Sequence, residues 1–158
     1  MYLELDSVFN NDGESLLIDH SFSVDDENIV TPVTVKGSVY NKTGIVHLKA
    51  DAKFDYSTSC AKCNTDLLRH ATVPVNHILL SHAESEDNDD FLVLDGVRLE
   101  LDELVAEDIY LSIPSRFLCK DDCKGLCSIC GTDLNFGQCS CSAPSDPRWD
   151  SLKDLLNN

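Results

Sequence analysis

A chain of 158 residues, 42% of them hydrophobic, can form a real core, because a domain of this size buries about 70% of its unfolded surface. Its 12 basic and 28 acidic side chains give a net charge of −16, which disfavours a broad nucleic-acid-binding face. No apolar run approaches the ~20 residues that cross a bilayer, and the first residues lack a signal-peptide pattern. We therefore expect a folded cytoplasmic protein with no membrane partner.

Residues 2–80 are rich in β-forming side chains. Alternating apolar and polar residues predict strands over 33–40 and 45–50, and Asn41 and Gly44 mark a hairpin turn between them. A further strand is predicted over 68–80, where Pro74 indicates a sheet edge or a bulge. The pattern is typical of an antiparallel meander.

Acidic residues are concentrated after this region, with eleven carboxylates and one base between Glu84 and Asp108. Residues 84–90 are predicted to form a solvated loop. The alternative interpretation is a surface for a basic protein, with Asp87, Asp89 and Asp90 as candidate contacts.

A second hairpin is predicted around Asp95 and Gly96, from strands over 91–94 and 97–100. Asp102 can then cap a helix near 102–112, which Pro114 stops. The apolar residues of this helix recur at helical spacing, so it should pack on the sheet.

From Arg116 onward, cysteine, glycine and polar residues replace the β pattern. A short helix is predicted near 147–156, with Pro147 at its first turn and an apolar stripe anchored by Trp149. So short a helix must dock, on its own fold or on a partner. The sequence thus predicts an α+β protein: a β-rich domain over 1–115 and a zinc-binding tail with a terminal helix over 116–158.

Eight cysteines form groups with short internal spacings. They are, in chain order, Cys60, Cys63, Cys119, Cys123, Cys127, Cys130, Cys139 and Cys141. A Cys-x2-Cys turn brings two thiolates toward one ion, and four thiolates complete the closed coordination of structural zinc. Because the last four are close in sequence, we predict that they share one zinc ion and that the first four share a second. Cys123 and Cys127 could exchange roles.

Other chemistries fit less well. A redox Cys-x-x-Cys pair usually begins a helix whose dipole lowers a thiol pKa, whereas Cys60 and Cys63 follow a predicted meander. An iron–sulfur cluster also accepts four cysteines. The five histidines have no ligand spacing, and there is no phosphate-binding glycine loop or nucleophile motif. We predict no enzymatic activity and no small-molecule substrate.

Several of these features occur together in a known family. The Cys-Ala-Lys-Cys pair after a meander, the Cys-Lys-Gly-Leu-Cys-Ser-Ile-Cys-Gly block at 123–131 and the Asp-Pro-Arg-Trp run at 146–149 resemble the YceD family, in its cysteine-rich Gram-positive form. Its members are called large ribosomal RNA subunit accumulation proteins. The resemblance implies a role in ribosome biogenesis, at the large-subunit precursor.

Charge limits how such a protein could contact that precursor. Phosphate binding depends on Lys and Arg, so an acidic chain fits a basic ribosomal protein or an assembly factor better. Direct contact with ribosomal RNA through a local patch including Lys120 and Lys124 stays open. Two other functions stay open as well: a zinc-dependent adaptor unrelated to ribosomes, and a thiol oxidoreductase that uses Cys60 and Cys63.

Overall fold

The computed structural model describes residues 1–81 and 91–141. Its elements are β1 (Tyr2–Glu4), α1 (Asp6–Asn10), β2 (Ser15–Phe22), β3 (Ile29–Lys42), β4 (Ile45–Ser59), β5 (Asp66–Leu80), β6 (Leu92–Val93), β7 (Arg98–Glu100) and α2 (Leu101–Ser112). The α+β class is confirmed. The helix predicted near 147–156 lies outside the described residues.

The chain divides into two compact units. One comprises residues 1–58 and 67–115, and the other comprises residues 59–66 together with the chain from 116 onward. We call them the β unit and the cysteine unit. The segment that carries Cys60 and Cys63 therefore belongs to the cysteine unit, although it is far in sequence from the rest of that unit.

Five strands of the β unit form one sheet in the order β2-β3-β4-β5-β6. The pairs β2–β3 and β3–β4 are antiparallel. The predicted hairpin joins β3 and β4, and both strands are longer than predicted. Its turn uses Thr43 and Gly44, which have φ of +53° and +82°, and the buried Asn41 side chain accepts a hydrogen bond from the Gly44 N–H at 3.0 Å.

Alternation along the strands places the apolar side chains on one face of the sheet. Val35 and Val39 on β3 and Leu48 on β4 are completely buried there. The helix α2 supplies Leu101, Leu104, Val105 and Ile109 to the same core. Burying each such side chain contributes about 1.5–3 kcal/mol, so the packing of α2 on the inner face holds the β unit together.

Gly37 is required by the close pairing of β3 with β4. It lies opposite Ala50, and an added Cβ would be 2.2 Å from the Lys49 carbonyl oxygen and 2.4 Å from the Ala50 Cα. These are backbone atoms, which cannot move aside as the end of a flexible side chain can. We therefore expect Gly37→Ala to lower the free energy of unfolding by about 1–3 kcal/mol. Urea denaturation measures it. Gly13→Ala is a poor control because φ there is +82°, whereas Ser38→Ala on the adjacent position should change stability little.

The second predicted hairpin is wrong in its pairing. Gly96 does turn the chain, with φ of +78°, but the flanking strands enter different sheets. β6 runs parallel to β5, and β7 pairs antiparallel with β1. Local turn chemistry predicted the position of the turn correctly, whereas the partners of each strand depended on residues far away in sequence.

The described pairing of β6 with β5 involves Leu79 and Leu80, so Pro74 lies in a part of β5 that is outside that pairing. The predicted N-cap at Asp102 is wrong, because the helix begins one residue earlier with Glu100 at the N-cap position. The helix α2 begins at Leu101, and Glu100 makes no side-chain cap hydrogen bond. Asp102 is therefore in the first turn, where a carboxylate complements the helix dipole. Among residues 1–81 and 91–141, no helix has the length and apolar character needed to cross a bilayer.

Candidate metal centre

The eight cysteines lie in two sets of four within the cysteine unit. We call Cys60, Cys63, Cys119 and Cys123 the long-range cluster, and Cys127, Cys130, Cys139 and Cys141 the local cluster. In each cluster the four sulfurs lie within 4.8 Å of one another. These are the two sets predicted from spacing, and either could hold a metal ion.

The first Cys-x2-Cys loop is shaped by backbone hydrogen bonds. The Cys60 N–H donates to the Thr65 carbonyl at 2.8 Å, and the Asn64 N–H donates to the Cys60 carbonyl at 2.8 Å. Asn64 has φ of +57°, which closes the turn. The Thr65 hydroxyl lies 3.2 Å from the Cys63 sulfur. This tight loop therefore points two sulfurs the same way and places a hydroxyl against one of them.

The second Cys-x2-Cys loop repeats that arrangement. The Cys127 N–H donates to the Thr132 carbonyl at 2.8 Å, and the Gly131 N–H donates to the Cys127 carbonyl at 2.9 Å. Gly131 has φ of +73°, and the Thr132 hydroxyl is 3.1 Å from the Cys130 sulfur. The repeated pattern Cys-x2-Cys-x-Thr was readable in the sequence, but we did not predict a role for either threonine.

The long-range cluster joins two distant segments of the chain. The Ala61 N–H donates to the Phe117 carbonyl at 2.9 Å, and the Leu126 N–H donates to the Lys62 carbonyl at 3.0 Å. The Lys62 ammonium donates to the Cys123 carbonyl at 2.9 Å. These bonds hold the Cys60 loop against the segment around Cys119 and Cys123, so the four sulfurs meet.

Sulfur spacing in the long-range cluster fits tetrahedral coordination. Zinc–sulfur bonds of about 2.3 Å place the sulfurs of a tetrahedral site about 3.8 Å apart. The Cys60 and Cys123 sulfurs are 3.8 Å apart, and those of Cys63 and Cys119 are 3.6 Å apart. A disulfide needs about 2.05 Å, and all eight cysteines are free. The donor set and its dimensions therefore suit a tetrahedral thiophilic cation.

Hydrogen bonding divides the protons unevenly within the long-range cluster. Burial opposes ionisation of Cys60, but backbone N–H groups, led by that of Cys63, lower its pKa to about 6. The hydrogen bond to Cys123 and burial together raise the pKa of Cys119 to about 12. The thiolate is the form that binds metal, so this cluster holds part of its negative charge near neutral pH.

The local cluster shows the same division. Hydrogen bonds from the Thr132 hydroxyl and N–H lower the pKa of Cys130 to about 6. The hydrogen bond to Cys130, followed by burial, raises the pKa of Cys141 to about 12. A bound cation would remove the need to share protons among the four sulfurs, because it favours thiolate at every ligand.

Asn135 is a further residue of the long-range cluster that the sequence analysis missed. Its side-chain Nδ2 lies 3.4 Å from the Cys123 sulfur, and its Oδ1 accepts a hydrogen bond from the Lys124 N–H at 2.9 Å. It therefore orients the segment that follows Cys123. No spacing rule signals such a residue, because it contacts sulfur only after the loop has folded.

Replacing Asn135 should weaken metal binding by the long-range cluster. Partners that orient ligands typically contribute 10–100-fold in metal affinity, so we expect Asn135→Leu to speed metal transfer from this cluster to a chelator about tenfold. The control is Gln138→Leu, which removes an exposed amide of the same unit. Equal rates in both variants would contradict a role for Asn135.

Only two of the predicted partner-binding residues lie in the part of the chain that the structure describes. Lys120 and Lys124 are exposed, and the Lys120 ammonium lies 3.9 Å from an Asp122 carboxylate oxygen. Lys124 lines a groove of about 530 Å³ beside the local cluster. Trp149, Asp87, Asp89 and Asp90 lie outside the described residues.

Comparison with known proteins places this pair of four-cysteine clusters in a family. The family model described as Large ribosomal RNA subunit accumulation protein YceD matches residues 48–156, which is more than half of the chain. The chain belongs to this family. The match includes all eight cysteines, as well as β5 and α2.

Curated relatives are similar over part of their length. An uncharacterized protein of Mycobacterium leprae is 27% identical over 104 residues, which cover 63% of this chain and 48% of that protein. Uncharacterized proteins of Mycobacterium bovis and Mycobacterium tuberculosis are each 24% identical over 101 residues, covering 61% of this chain and 49% of the relative. The chain thus spans about half the length of the curated relatives it matches. No solved structure matches it.

Proposed function

We propose that this protein is a non-enzymatic, zinc-binding factor that acts in the cytoplasm in the accumulation of large-subunit ribosomal RNA and in ribosome assembly. Membership of the YceD family supports the role in large-subunit ribosomal RNA accumulation. The two four-cysteine clusters support structural zinc, because zinc accepts four thiolates in a closed site and needs no further ligand.

The position of the first cysteine pair disfavours the oxidoreductase alternative. Cys60 and Cys63 follow β4 in a tight loop, and both are buried. A catalytic thiol pair needs an accessible sulfur, and its low pKa usually comes from a helix N-terminus. Here two further thiols already surround the pair. An adaptor outside ribosome assembly remains the second candidate, and particle association separates it from our proposal.

The two units differ strongly in charge. The β unit carries 21 acidic and six basic side chains, whereas the cysteine unit carries seven acidic and six basic ones. Almost all the net negative charge thus belongs to the β unit. Such a surface attracts a basic protein and repels bare RNA, so we propose that the contact with the large-subunit precursor is mainly through a basic ribosomal protein or assembly factor.

Separated components provide the test of this mechanism. We expect the protein to bind basic large-subunit proteins more tightly than purified ribosomal RNA at physiological salt. Neutralising Asp87, Asp89 and Asp90 together should weaken the protein contact severalfold, since each exposed charge pair contributes about 0.2–1 kcal/mol. Neutralising Lys120 and Lys124 should leave it nearly unchanged. Fluorescence anisotropy of the unchanged protein and the two variants, each with both classes of partner, measures the six affinities.

One result would reject the protein-mediated contact. Tight RNA binding that the lysine changes abolish and the aspartate changes leave intact favours direct RNA recognition by the cysteine unit. The pathway itself is tested in cells. Depletion of the protein should lower large-subunit relative to small-subunit ribosomal RNA, and unchanged ratios with no association with large-subunit particles would favour the adaptor.

A further inference from the structure

A groove in the β unit runs between α2 and the chain around β6 and β7. Its volume is about 200 Å³. Its apolar wall consists of Leu92, Val93, Leu94, Leu99 and Leu104, and its acidic rim consists of Asp95, Glu100, Glu103 and Glu107. Val93 is 43% exposed, so part of the apolar wall faces solvent.

The open face of α2 extends this groove. Glu103, Glu107, Tyr110 and Leu111 are three or four residues apart, so they share one side of the helix. Tyr110 is 47% exposed and Leu111 is 86% exposed. A helix normally turns its leucines toward the core. The surface therefore combines a row of carboxylates with apolar side chains that nothing in the described chain covers.

The carboxylates of this surface are poorly compensated. Among the described residues, Glu103 and Glu107 have no ion-pair partner. The four lysines of the β unit occupy outward positions on β3 and β4, on the face of the sheet opposite the core; they are Lys36, Lys42, Lys49 and Lys53. Arg98, the nearest base in sequence, lies 3.3 Å from a Glu4 oxygen and over the Tyr2 ring.

We propose that this groove and the open face of α2 bind a basic amphipathic segment of a partner protein. Lysine or arginine side chains would pair with Glu103 and Glu107, while apolar side chains of the segment would contact Val93 and Leu111. Charge complementarity favours this occupant over a nucleic acid, whose phosphates the carboxylates of this surface would repel. The inference rests on the proposed function, because it names the surface that a basic large-subunit protein would contact.

Two pairs of matched variants isolate the surface. Glu103→Gln with Glu107→Gln removes two charges from the rim, and Asp25→Asn with Glu27→Gln removes two exposed charges from the loop before β3. Leu111→Ser removes an apolar side chain that is 86% exposed, and Leu17→Ser removes one that is 83% exposed on β2. Each control matches its partner variant in charge or exposure and differs only in position.

The probe is a labelled synthetic peptide with lysines on one helical face and leucines on the other, titrated with the full-length chain. We expect the rim variant to weaken binding about tenfold and Leu111→Ser to weaken it severalfold, with both controls close to the unchanged protein. Equal losses in rim and control variants would mean that net charge alone attracts the peptide, and no binding, or tighter binding of a single-stranded RNA, would overturn the proposal.

Replacement and depletion experiments in cells distinguish this inference from the proposed function. Large-subunit ribosomal RNA should fall when the rim variant replaces the protein and should stay normal with the Asp25→Asn, Glu27→Gln control. Normal levels with the rim variant, in cells where depletion lowers them, would overturn the docking surface and leave the proposed function standing. Normal levels even after depletion would overturn the proposed function itself, whatever the peptide titration shows.

Discussion

Replacing Cys60 with serine should unfold the two segments that the long-range cluster joins, 59–66 and 116–126, whereas replacing Cys139 with serine should unfold only the local loop. Cys60 is 2% exposed, and its cluster joins segments that are more than fifty residues apart in sequence. The metal of such a site closes a long loop. Structural zinc contributes roughly 10–16 kcal/mol to the folding of small finger peptides. The free energy lost with one ligand should therefore exceed the stabilisation that the few backbone hydrogen bonds provide.

Cys139 has a more limited role in the fold. It belongs to the local cluster, whose members lie between residues 127 and 141, and the backbone hydrogen bonds of the Cys127 loop to Gly131 and Thr132 stay within that same segment. Hydrogen exchange measured by mass spectrometry distinguishes the variants. For Cys60→Ser we expect protection to fall over 59–66 and 116–126 together, and for Cys139→Ser over 127–141.

Replacement of serine residues that are not metal ligands provides the controls for this experiment. Ser59→Ala and Ser140→Ala change exposed neighbours of the two cysteines and should leave the exchange pattern unchanged. The assignment of ligands to two clusters is wrong if Cys60→Ser and Cys139→Ser lose protection identically across the tail.

The chain purified without added metal should contain two zinc ions, and a chelator should remove them in two steps. Cys60, Cys63 and Cys123 are 2%, 7% and 2% exposed, whereas Cys130 and Cys141 of the local cluster are exposed. A chelator must reach the metal through its ligands, so we expect the local cluster to release zinc at least tenfold faster. Elemental analysis gives the stoichiometry, and a zinc indicator follows the release.

The single-cysteine variants assign the two steps. Cys139→Ser should lack the fast phase, and Cys60→Ser should lack the slow one. One zinc ion or none, together with Cys60 and Cys63 that react readily with an alkylating reagent in the native protein, would reject the long-range site. Iron in place of zinc would be visible in the same elemental analysis.

Local features of this protein were readable from its sequence. The alternation in 33–40 and 45–50, the turn at Gly44 and the apolar spacing of α2 each depend on neighbouring residues, and the structure contains the elements that they predicted. The cysteine spacing was informative for the same reason, because a Cys-x2-Cys turn is a local geometry. The resemblance to the family could be recognised from the sequence because it rests on short motifs of this kind, and the family model matches the chain.

Long-range pairing was decided only by the tertiary structure. Two strands that flank one turn, β6 and β7, entered different sheets, since each strand is stabilised by the partner that completes its hydrogen bonds and not by its neighbour in sequence. Asn135 reached the Cys123 sulfur because folding of the loop placed it there. The sidedness of charge in the β unit, with Lys49 and Lys53 opposite the core and Glu103 and Glu107 on α2, has the same origin: the net charge is a property of composition, but its position depends on which faces the core covers.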